Sequence, residues 1–496
     1  MIKIFYTSDI HGYIYPYKYH DNQERAFGLA KVSAYIKDNY DENSIYLDNG
    51  DVLEGSQLLD YYYQSDEMAN PIKTAFNHTL LDYVNLGNHD FNYGLKNLND
   101  YLTGFNCLTS NISLNGLPFG KSVIHKFKNG IKIGIIGVCT QHLINWEKPE
   151  NLVGVELKDA FETLKDEVDK IKDQVDYVVG IYHGGFERDL ITGKPTDVLN
   201  GENEAYQMCQ EIAGLDILLT GHQHRVIEGE VNGVKVLQPG MGGEYLGEII
   251  IDDGKINARL IKPDNLVDQT ITSKLKAIED KTQKWLDQAI VTLKEDLLIK
   301  DEFEARLRKH KLVSLLNQIQ LHYSGADFSA VALFNDAVGF SKNLTMRELT
   351  STYVYPNTLV VLKTDVTNLK LFLEKCAEYF TLENGEIVVD PDFYVTKKQH
   401  YNYDMVDGLS YTIKVSNPRG SRIINLQKDG QDLDINKTYT IVMNNYRAAG
   451  GGDFEMTKNM QVVKNIEESV VHMIYDYLTK HQDLVINHKD NIKVII

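Results

Sequence analysis

The chain opens with the stretch IKIFYTSDIH (2–11), an apolar run that ends in an aspartate and a histidine. Continuous apolar runs of this length are typical of strands buried on both faces of a sheet. Similar runs, most of them ending in glycine, asparagine, aspartate or histidine, recur through the first half of the chain. They are SIYLDNGD (44–51), YVNLGNHD (83–90), IKIGIIGV (131–138), YVVGIYHGG (177–185), ILLTGHQH (217–224) and VKVLQPG (234–240).

Helical patterns lie between these runs, for example at 28–40 and 156–175. Alternating strands and helices predict an α/β domain. In such a domain the residues that follow the strands gather at one edge of the sheet, where ligands bind. The sequence therefore predicts a functional site built from the polar residues that end the apolar runs.

The pattern changes after residue 262. The segment 263–312 is rich in helix-forming residues and predicts a helical linker, whereas 313–496 mixes strand-like and helix-like runs. The strand-like runs are 358–365, 409–416 and 438–445, and the helix-like runs are 367–380 and 467–481. Because 496 residues exceed what one hydrophobic core usually supports, we expect two domains.

The composition is that of an ordinary globular protein, with 43% hydrophobic and 24% charged residues, but the formal net charge is -19. An acidic surface argues against a protein that grips long nucleic acid, since that requires a basic footprint. A small nucleotide in a metal-lined pocket remains compatible, because the metals set the local charge there.

The four cysteines include no C-x-x-C pair, which favours free thiols in a reducing compartment. No apolar run is long enough to span a bilayer. The opening MIKIFYTSDIH leaves no room for a signal peptide, so we expect a cytoplasmic protein, or an exported one if the chain was trimmed. We further expect a monomer whose partner is a small nucleotide and that binds neither membrane nor long nucleic acid.

Metal-ligating side chains follow five of the predicted strands. On extended chain, D-x-H and H-x-H pairs present both side chains on one face. Two divalent ions about 3.5–4 Å apart need a bridging ligand, and a carboxylate suits that role. Imidazole with carboxylate favours Zn, Mn or Fe over Mg or Ca. The predicted site comprises Asp9, His11, Asp51, Asn88, His183, His222 and His224.

At these motifs the chain resembles a known family. TSDIHGY, GDVLEG, GNHDFNYG, HGG and GHQH are similar to the signature of calcineurin-like metallophosphoesterases, and the C-terminal half resembles the 5′-nucleotidase C-terminal domain. The resemblance covers nearly the whole chain. It implies an α/β protein with a metallophosphoesterase αββα sandwich over 1–262, the helical linker over 263–312, and an α+β substrate-binding domain over 313–496.

The resemblance also implies roles for the metal-site residues. Asp9, His11 and His224 would hold one divalent ion, Asn88, His183 and His222 the other, and Asp51 would bridge them. The ions would lower the pKa of a bound water, and the resulting hydroxide would attack phosphorus in line with the leaving oxygen. His89 would stabilise the phosphoryl charge or protonate the leaving alkoxide.

Two positions favour one branch of the family. Many 5′-nucleotidases have glutamine at the position of His224, and aspartate at the position of Asn92, where it orients the catalytic histidine. GNHDFNYG resembles instead the 2′,3′-cyclic-nucleotide 2′-phosphodiesterase/3′-nucleotidase branch. An amide can still accept a hydrogen bond from the ring of His89. The alternatives are a 5′-nucleotidase or nucleotide-sugar hydrolase, and, in another class, a catalytically inactive nucleotide-binding protein.

Candidate substrate contacts lie in the second half of the chain. YNYDMVDG (401–408) resembles a stretch of the cyclic phosphodiesterase branch, and by motif position Tyr355 and Tyr403 would sandwich the base. In NNYRAAGGGDF (444–454), glycines allow a close backbone approach, Asp453 would hold ribose hydroxyls, and Arg447 is either a substrate contact or a structural ion pair. Asn335 is a weaker candidate. Metals in one domain and base contacts in the other predict an interdomain cleft that closes by a hinge.

Overall fold

The computed structural model describes residues 1–196, 199–264, 266–335, 337–353, 357–394, 398–458, 460–466, 468–481 and 483–496, apart from the side chain of Trp146. The chain divides into two compact units, Met1–Gln283 and Lys284–Ile496. This boundary lies inside the segment 263–312 that the sequence predicted as a linker. The limits 1–262 and 313–496 stay a prediction.

The described part of the first unit contains fourteen strands and eight α-helices, the last of which extends to Leu286 in the second unit. The strands are β1 (Ile2–Thr7), β2 (Ser44–Asp48), β3 (Tyr83–Val84), β4 (Ile112–Leu114), β5 (Leu117–Pro118), β6 (Val123–Lys126), β7 (Lys132–Cys139), β8 (Val155–Leu157), β9 (Tyr177–His183), β10 (Ile217–Thr220), β11 (Val226–Val231), β12 (Val234–Pro239), β13 (Leu246–Asp252) and β14 (Lys255–Ile261). The helices are α1 (Leu29–Asn39), α2 (Gln57–Gln64), α3 (Pro71–Phe76), α4 (Gly94–Leu102), α5 (Leu143–Trp146), α6 (Ala160–Ile171), α7 (Ala205–Glu211) and α8 (Gln269–Leu286).

Two large sheets carry this unit, in the strand orders β14-β13-β1-β2-β3 and β11-β12-β10-β9-β7-β6. Strands β1, β2 and β3 run parallel to one another, as do β12, β10, β9 and β7 in the other sheet. Parallel strands end at a common edge of their sheet. Each of the seven predicted apolar runs forms a strand, so the residues that follow them reach these edges.

The alternation of side chains along the strands explains the layers. In β9, Val179 and Ile181 belong to the apolar cluster between the two sheets, together with Ile4 of β1. Val178 and Tyr182 of the same strand pack in a second cluster that contains residues of α6 and α7. On the first sheet, Phe5 contacts Tyr35 of α1 with ring centroids 6.5 Å apart. The layers are helix, sheet, sheet and helix, which confirms the predicted αββα sandwich.

One predicted helix begins later than expected. The prediction for 156–175 overlaps β8, which pairs with β4. Asp159 then accepts a hydrogen bond from the backbone N–H of Glu162 and caps α6. The sequence pattern did not separate β8 from the helix, because a few alternating apolar residues are compatible with both the helical and the strand period.

The second unit contains fifteen strands and seven helices among its described residues. The strands are β15 (Ala289–Thr292), β16 (Leu297–Leu298), β17 (Phe328–Ala332), β18 (Gly339–Phe340), β19 (Asn343–Thr345), β20 (Leu359–Thr364), β21 (Phe380–Glu383), β22 (Glu386–Val389), β23 (Asp404–Asp407), β24 (Ser410–Lys414), β25 (Ile423–Lys428), β26 (Gln431–Asp432), β27 (Tyr439–Asn444), β28 (Gln461–Ile466) and β29 (Ile492–Ile495). The helices are α9 (Glu302–Leu307), α10 (Lys311–Ser324), α11 (Met346–Thr352), α12 (Val366–Ala377), α13 (Asn445–Ala448), α14 (Glu455–Lys458) and α15 (Val470–Lys480).

A five-stranded sheet, β23-β17-β27-β20-β28, and a four-stranded sheet, β26-β25-β24-β29, organise this unit. Both mix parallel and antiparallel pairs, which confirms an α+β class for the C-terminal part. The segment 263–312 contains, besides helices, the strands β15 and β16, which pair with β19 and β18. All four cysteines are free thiols. Within the described ranges, no helix combines the length and apolar character needed to cross a membrane.

Candidate metal centre

The structure brings the seven predicted metal-site residues of the first unit together at the ends of the parallel strands. Their donor atoms form two adjacent groups. The first group is Asp9, His11 and His224, and the second is Asp51, His183 and His222. Asn88 joins the second group, since its Oδ1 lies 2.9 Å from Nδ1 of His222. Asp51 Oδ2 lies 3.1 Å from Nε2 of His183 and 3.9 Å from Nε2 of His11, so it faces both groups.

The backbone of these residues is not extended as the sequence predicted. Asp9, His11, Asp51, His222 and His224 all have φ values between 49° and 67°. The left-handed region is sparsely populated by residues other than glycine, and such residues cluster at functional sites. The prediction that D-x-H and H-x-H pairs lie on extended chain is therefore wrong. Left-handed turns place Asp9 and His11 in the same donor group, and His222 and His224 in the two different groups.

Backbone carbonyls select the ring nitrogen that each of two histidines turns into the site. His183 Nδ1 lies 2.6 Å from the carbonyl oxygen of Asn49, and His11 Nδ1 lies 2.9 Å from that of Glu54. Because a carbonyl oxygen can only accept, both Nδ1 atoms donate and both Nε2 atoms are left for the site. This arrangement is typical of metal-ligating histidines.

Two buried atoms that could each ligate a metal face each other without a hydrogen bond. Asp51 Oδ2 and His183 Nε2 are both buried and lack a hydrogen-bond partner among the described residues, although they lie 3.1 Å apart. Leaving buried polar atoms unsatisfied is unfavourable by about 1–3 kcal/mol each. A divalent cation would satisfy both lone pairs, so the residues present fit a metal.

The electrostatics of the cluster point the same way. Burial disfavours a charged ring at His183, but the negative charges of Asp51 and Asp9 and the contacts of the ring with Asp51 and Asn49 together raise the pKa of His183 to about 10. Burial likewise opposes a charge on His11, whereas its contact with Glu54 and the charge of Asp51 raise the pKa of His11 to about 9. The buried carboxylates thus favour positive charge at this site, which divalent cations would supply.

A buried carboxylate joins two of the ligand loops. Asp90 Oδ2 accepts hydrogen bonds from the backbone N–H groups of Gly87 (2.8 Å) and Asp51 (3.0 Å). Its Oδ1 accepts from those of Val52 (2.9 Å) and Leu53 (3.1 Å). Asp90 therefore holds the loop that carries Asp51 against the loop that carries the next ligand.

His89 and Asn92 are in contact, as the sequence predicted. His89 Nδ1 lies 2.7 Å from Asn92 Oδ1, and the side chain of His89 is 39% exposed, in contrast to the buried Asp51 and His183. Asn92 Nδ2 in turn donates to Oε2 of Glu147 at 2.6 Å. Sequence reasoning missed Glu147, and it also missed Glu202, whose Oε1 lies 3.1 Å from Nε2 of His222. Neither glutamate lies in a recognisable motif. Glu147 directly follows α5, and Glu202 lies in the segment between β9 and α7.

Comparisons with known proteins agree with this geometry. The profile of the calcineurin-like phosphoesterases matches residues 2–226, and that of the 5′-nucleotidase C-terminal domain matches residues 289–459. A crystal structure from Staphylococcus aureus, assigned as a putative 5′-nucleotidase, is 36% identical, with each chain covered over 100% of its length and a TM-score of 0.81. The chain belongs to the calcineurin-like phosphoesterase and 5′-nucleotidase family. Members of this family are hydrolases that act on phosphate esters.

Curated relatives within the family include enzymes of nucleotide metabolism. A 2′,3′-cyclic-nucleotide 2′-phosphodiesterase/3′-nucleotidase from Salmonella typhimurium is 29% identical, over 91% of this chain and 81% of that protein. A trifunctional nucleotide phosphoesterase protein from Bacillus subtilis is 26% identical over 97% of this chain. The chain spans only 38% of the length of the Bacillus protein.

The structure contradicts one predicted base contact in the 5′-nucleotidase-type unit. Tyr403 is fully buried and its ring stacks on Tyr379, with centroids 4.9 Å apart and planes 14° apart. The edge of Phe380 covers the same ring. Tyr403 therefore packs in the core of its own unit and has no free face for a base. The other predicted aromatic, Tyr355, lies outside the described residues.

Arg447 is 1% exposed, and its contacts favour the structural alternative. Its Nε donates to Oδ2 of Asp404 at 2.6 Å, and Nη2 donates to the carbonyl oxygen of Tyr401 at 2.9 Å. The guanidinium also lies 3.9 Å from the ring centroid of Phe454. Arg447 is thus a buried ion-pair residue, and its prediction as a substrate contact is not supported.

The other predicted contacts differ in accessibility. The side chain of Asn335 donates to the carbonyl oxygen of Lys398 and accepts from the N–H of His400, so it clamps a loop. Asp453 is exposed, with a φ of 64°. Tyr446, which the sequence did not single out, is 45% exposed in the same glycine-rich stretch.

Proposed function

We propose that the chain is a 2′,3′-cyclic-nucleotide 2′-phosphodiesterase/3′-nucleotidase that works with two divalent metal ions. The observation that carries the phosphoesterase chemistry is the pair of adjacent donor groups, with Asp51 facing both. The substrate choice is supported by the Salmonella typhimurium relative of that name and by the amide of Asn92 on His89, where many 5′-nucleotidases have a carboxylate.

We assign seven ligands to the two ions. Asp9, His11 and His224 would hold one, Asn88, His183 and His222 the other, and Asp51 would bridge them. The mixture of imidazole and carboxylate suits Zn, Mn or Fe. When bound, two such ions lower the pKa of a coordinated water and neutralise charge on the phosphoryl oxygens.

His89 would move the proton that the leaving oxygen needs. Its Nδ1 donates to Asn92 Oδ1, which leaves Nε2 as the atom that exchanges a proton with the substrate. As an acid, His89 would transfer the proton from Nε2 to the leaving oxygen and keep the proton on Nδ1. A positioned acid of this kind contributes about 10²–10⁴-fold to the rate.

Within the second unit, Tyr446 and Asp453 are the residues that we assign to the nucleoside. Tyr446 is 45% exposed and its ring lies against Gly451, where an added Cβ would stand 2.5 Å from the ring. The glycine thus lets the aromatic ring lie close to the backbone while the ring remains accessible. A stacked base contributes about 1–3 kcal/mol. Asp453 is exposed in the same glycine-rich stretch and is the candidate for the ribose hydroxyls.

The substrate is tested by a panel assay of the purified protein with Mn²⁺ added. The panel compares 2′,3′-cyclic AMP, 3′-AMP, 5′-AMP and a nucleotide sugar. We expect the cyclic nucleotide and 3′-AMP to be hydrolysed with the highest kcat/KM. A preference of about tenfold or more for 5′-AMP, which is about 1.4 kcal/mol in transition-state stabilisation, would overturn this choice.

A 5′-nucleotidase is the second candidate, since the Staphylococcus aureus structure assigned to that activity is 36% identical over the whole chain. A nucleotide-sugar hydrolase would be recognised by the fourth substrate of the panel. A catalytically inactive nucleotide-binding protein would bind nucleotide in calorimetry and turn over none of the four substrates.

A further inference from the structure

A chain of three side chains links the partly exposed His89 to the buried carboxylate of Glu147. His89 Nδ1 lies 2.7 Å from Asn92 Oδ1, and Asn92 Nδ2 donates to Glu147 Oε2 at 2.6 Å. Glu147 is 8% exposed, and its Oε1 accepts from the N–H of Lys148 (2.7 Å) and from Nδ2 of Asn151 (2.8 Å). The carboxylate is therefore held by three N–H donors.

The order of donors along this chain has one consistent solution. An ionised carboxylate only accepts, so Glu147 must face the NH₂ end of the Asn92 amide. The carbonyl end of Asn92 then faces His89, and Nδ1 of His89 must donate to it. Without the carboxylate, the amide can turn over and present its NH₂ group to the ring, which would favour the opposite tautomer.

We propose that Glu147 is a positioning residue of the phosphoesterase reaction. Through the amide of Asn92 it keeps a proton on Nδ1 of His89, so that Nε2 is the nitrogen that exchanges a proton with the substrate. This inference rests on the proposed function, in which His89 exchanges a proton with the substrate. In the step itself the Nε2–H bond of His89 breaks, its electron pair stays on Nε2, and the proton goes to the leaving oxygen. Nδ1 keeps its proton and its hydrogen bond to Asn92 Oδ1 throughout.

A purely structural role for Glu147 is the competing explanation, because the same carboxylate also holds Lys148 and Asn151. A double-mutant cycle separates the two roles. In the N92D background the new carboxylate at position 92 accepts directly from His89, and the negative charge of Glu147 repels that carboxylate. E147Q should therefore impair the enzyme that has Asn92 and improve the N92D enzyme.

The experiment measures kcat and KM of the metal-loaded wild type, E147Q, N92D and the double variant N92D/E147Q. We expect E147Q to lower kcat about 10–100-fold, as loss of an outer-shell partner does, with a much smaller change in KM. N92D/E147Q should exceed N92D in kcat. The matched control is E150Q, which removes an exposed glutamate from the same loop and should leave kcat unchanged. Equal losses from E147Q in both backgrounds, or no loss in either, would overturn the proposal.

The leaving group supplies a second comparison. A 4-nitrophenyl ester needs little protonation of its leaving oxygen, so E147Q should affect it less than a nucleotide. Wild-type turnover of the nitrophenyl ester without turnover of any nucleotide would refute the proposed substrate. The ring-nitrogen measurement on His89, which needs no turnover, would then judge the role of Glu147. If E147Q alone is unstable in thermal melting, N92D against N92D/E147Q carries the same test.

A spectroscopic readout is independent of turnover. In protein labelled with ¹⁵N-histidine, at a pH at which the ring of His89 is neutral, the ring nitrogen shifts of His89, assigned by their loss in H89N, should report a proton on Nδ1 in the wild type. E147Q should shift the population toward a proton on Nε2. An unchanged tautomer in E147Q would overturn the proposal, since a structural role alone predicts no change.

Discussion

Asp51 in the first unit and Asp404 in the second are both aspartates that are 1% exposed, yet their surroundings differ. Asp404 Oδ2 receives a hydrogen bond from the guanidinium of Arg447 at 2.6 Å. Asp51 Oδ2 has no hydrogen-bond partner in the described part of the chain and faces His183 Nε2. The carboxylate of Asp404, which the chain itself neutralises, has a structural role. The carboxylate of Asp51 keeps an unsatisfied lone pair beside imidazole rings, which favours binding of a cation.

The backbone makes the same distinction. Asp51 has a φ of 54°, whereas Asp404 begins the regular strand β23. Strain of this kind persists only where the surrounding structure enforces it, and Asp90 does so here by binding the backbone N–H of Asp51. Strained backbone together with unsatisfied donor atoms therefore marks the functional cluster.

The largest expected effect is that of D51N. Because the amide removes the negative charge that we assign to the bridge, this variant should lose hydrolysis of every substrate and bind metal more weakly. Activity assays and metal analysis after dialysis measure the two effects. A D51N protein with full turnover would contradict the two-metal assignment.

D404N is the matched change in the second unit. It leaves the Arg447 guanidinium buried without its counter-charge, so we expect the free energy of unfolding to fall by about 3–5 kcal/mol. Urea denaturation measures this, and kcat of the folded fraction should be retained. A stable D404N protein with a raised KM for nucleotide would instead restore Arg447 as a substrate contact.

Two tyrosines of the second unit sharpen the comparison. Y403A empties a core position and should lower the free energy of unfolding by about 3–5 kcal/mol, as aromatic-to-alanine changes in cores do.

Y446A should leave stability nearly unchanged and raise KM for nucleotide, because the variant loses the stacking of the base, which contributes about 1–3 kcal/mol. Denaturation and kinetics on both variants decide this, and an unchanged KM in Y446A would remove Tyr446 from the proposed nucleoside site.

Metal should also affect the stability of the first unit. Mn²⁺ at about 100 times its Kd should stabilise the folded state by about 2.7 kcal/mol. Thermal melting of chelator-treated wild type with and without Mn²⁺ measures it, and D51N should show a smaller gain. Equal gains in both proteins would place the stabilising metal elsewhere.

Much of the first unit could be predicted from its sequence. The apolar run at 2–7 coincides with β1, and the fold class is confirmed, since buried parallel strands have a strong apolar signal. The candidate ligands could be found for the same reason, because each ends or follows a strand. The chain geometry at these ligands could not be predicted, since left-handed φ values at non-glycine residues are enforced by long-range contacts such as those of Asp90.

The sequence by itself determined which residues are the candidate metal ligands, because residue type and position at the end of a strand are local properties. Only the tertiary structure decided which polar atoms stay unsatisfied and which aromatic rings stay accessible. Tyr403 and Tyr446 are both tyrosines preceded by asparagine, but Tyr403 is buried and Tyr446 is 45% exposed. Glu147 likewise acquires its place beside Asn92 only through folding, since 55 positions separate them. Such contacts arise from packing between distant segments, which residue spacing does not encode.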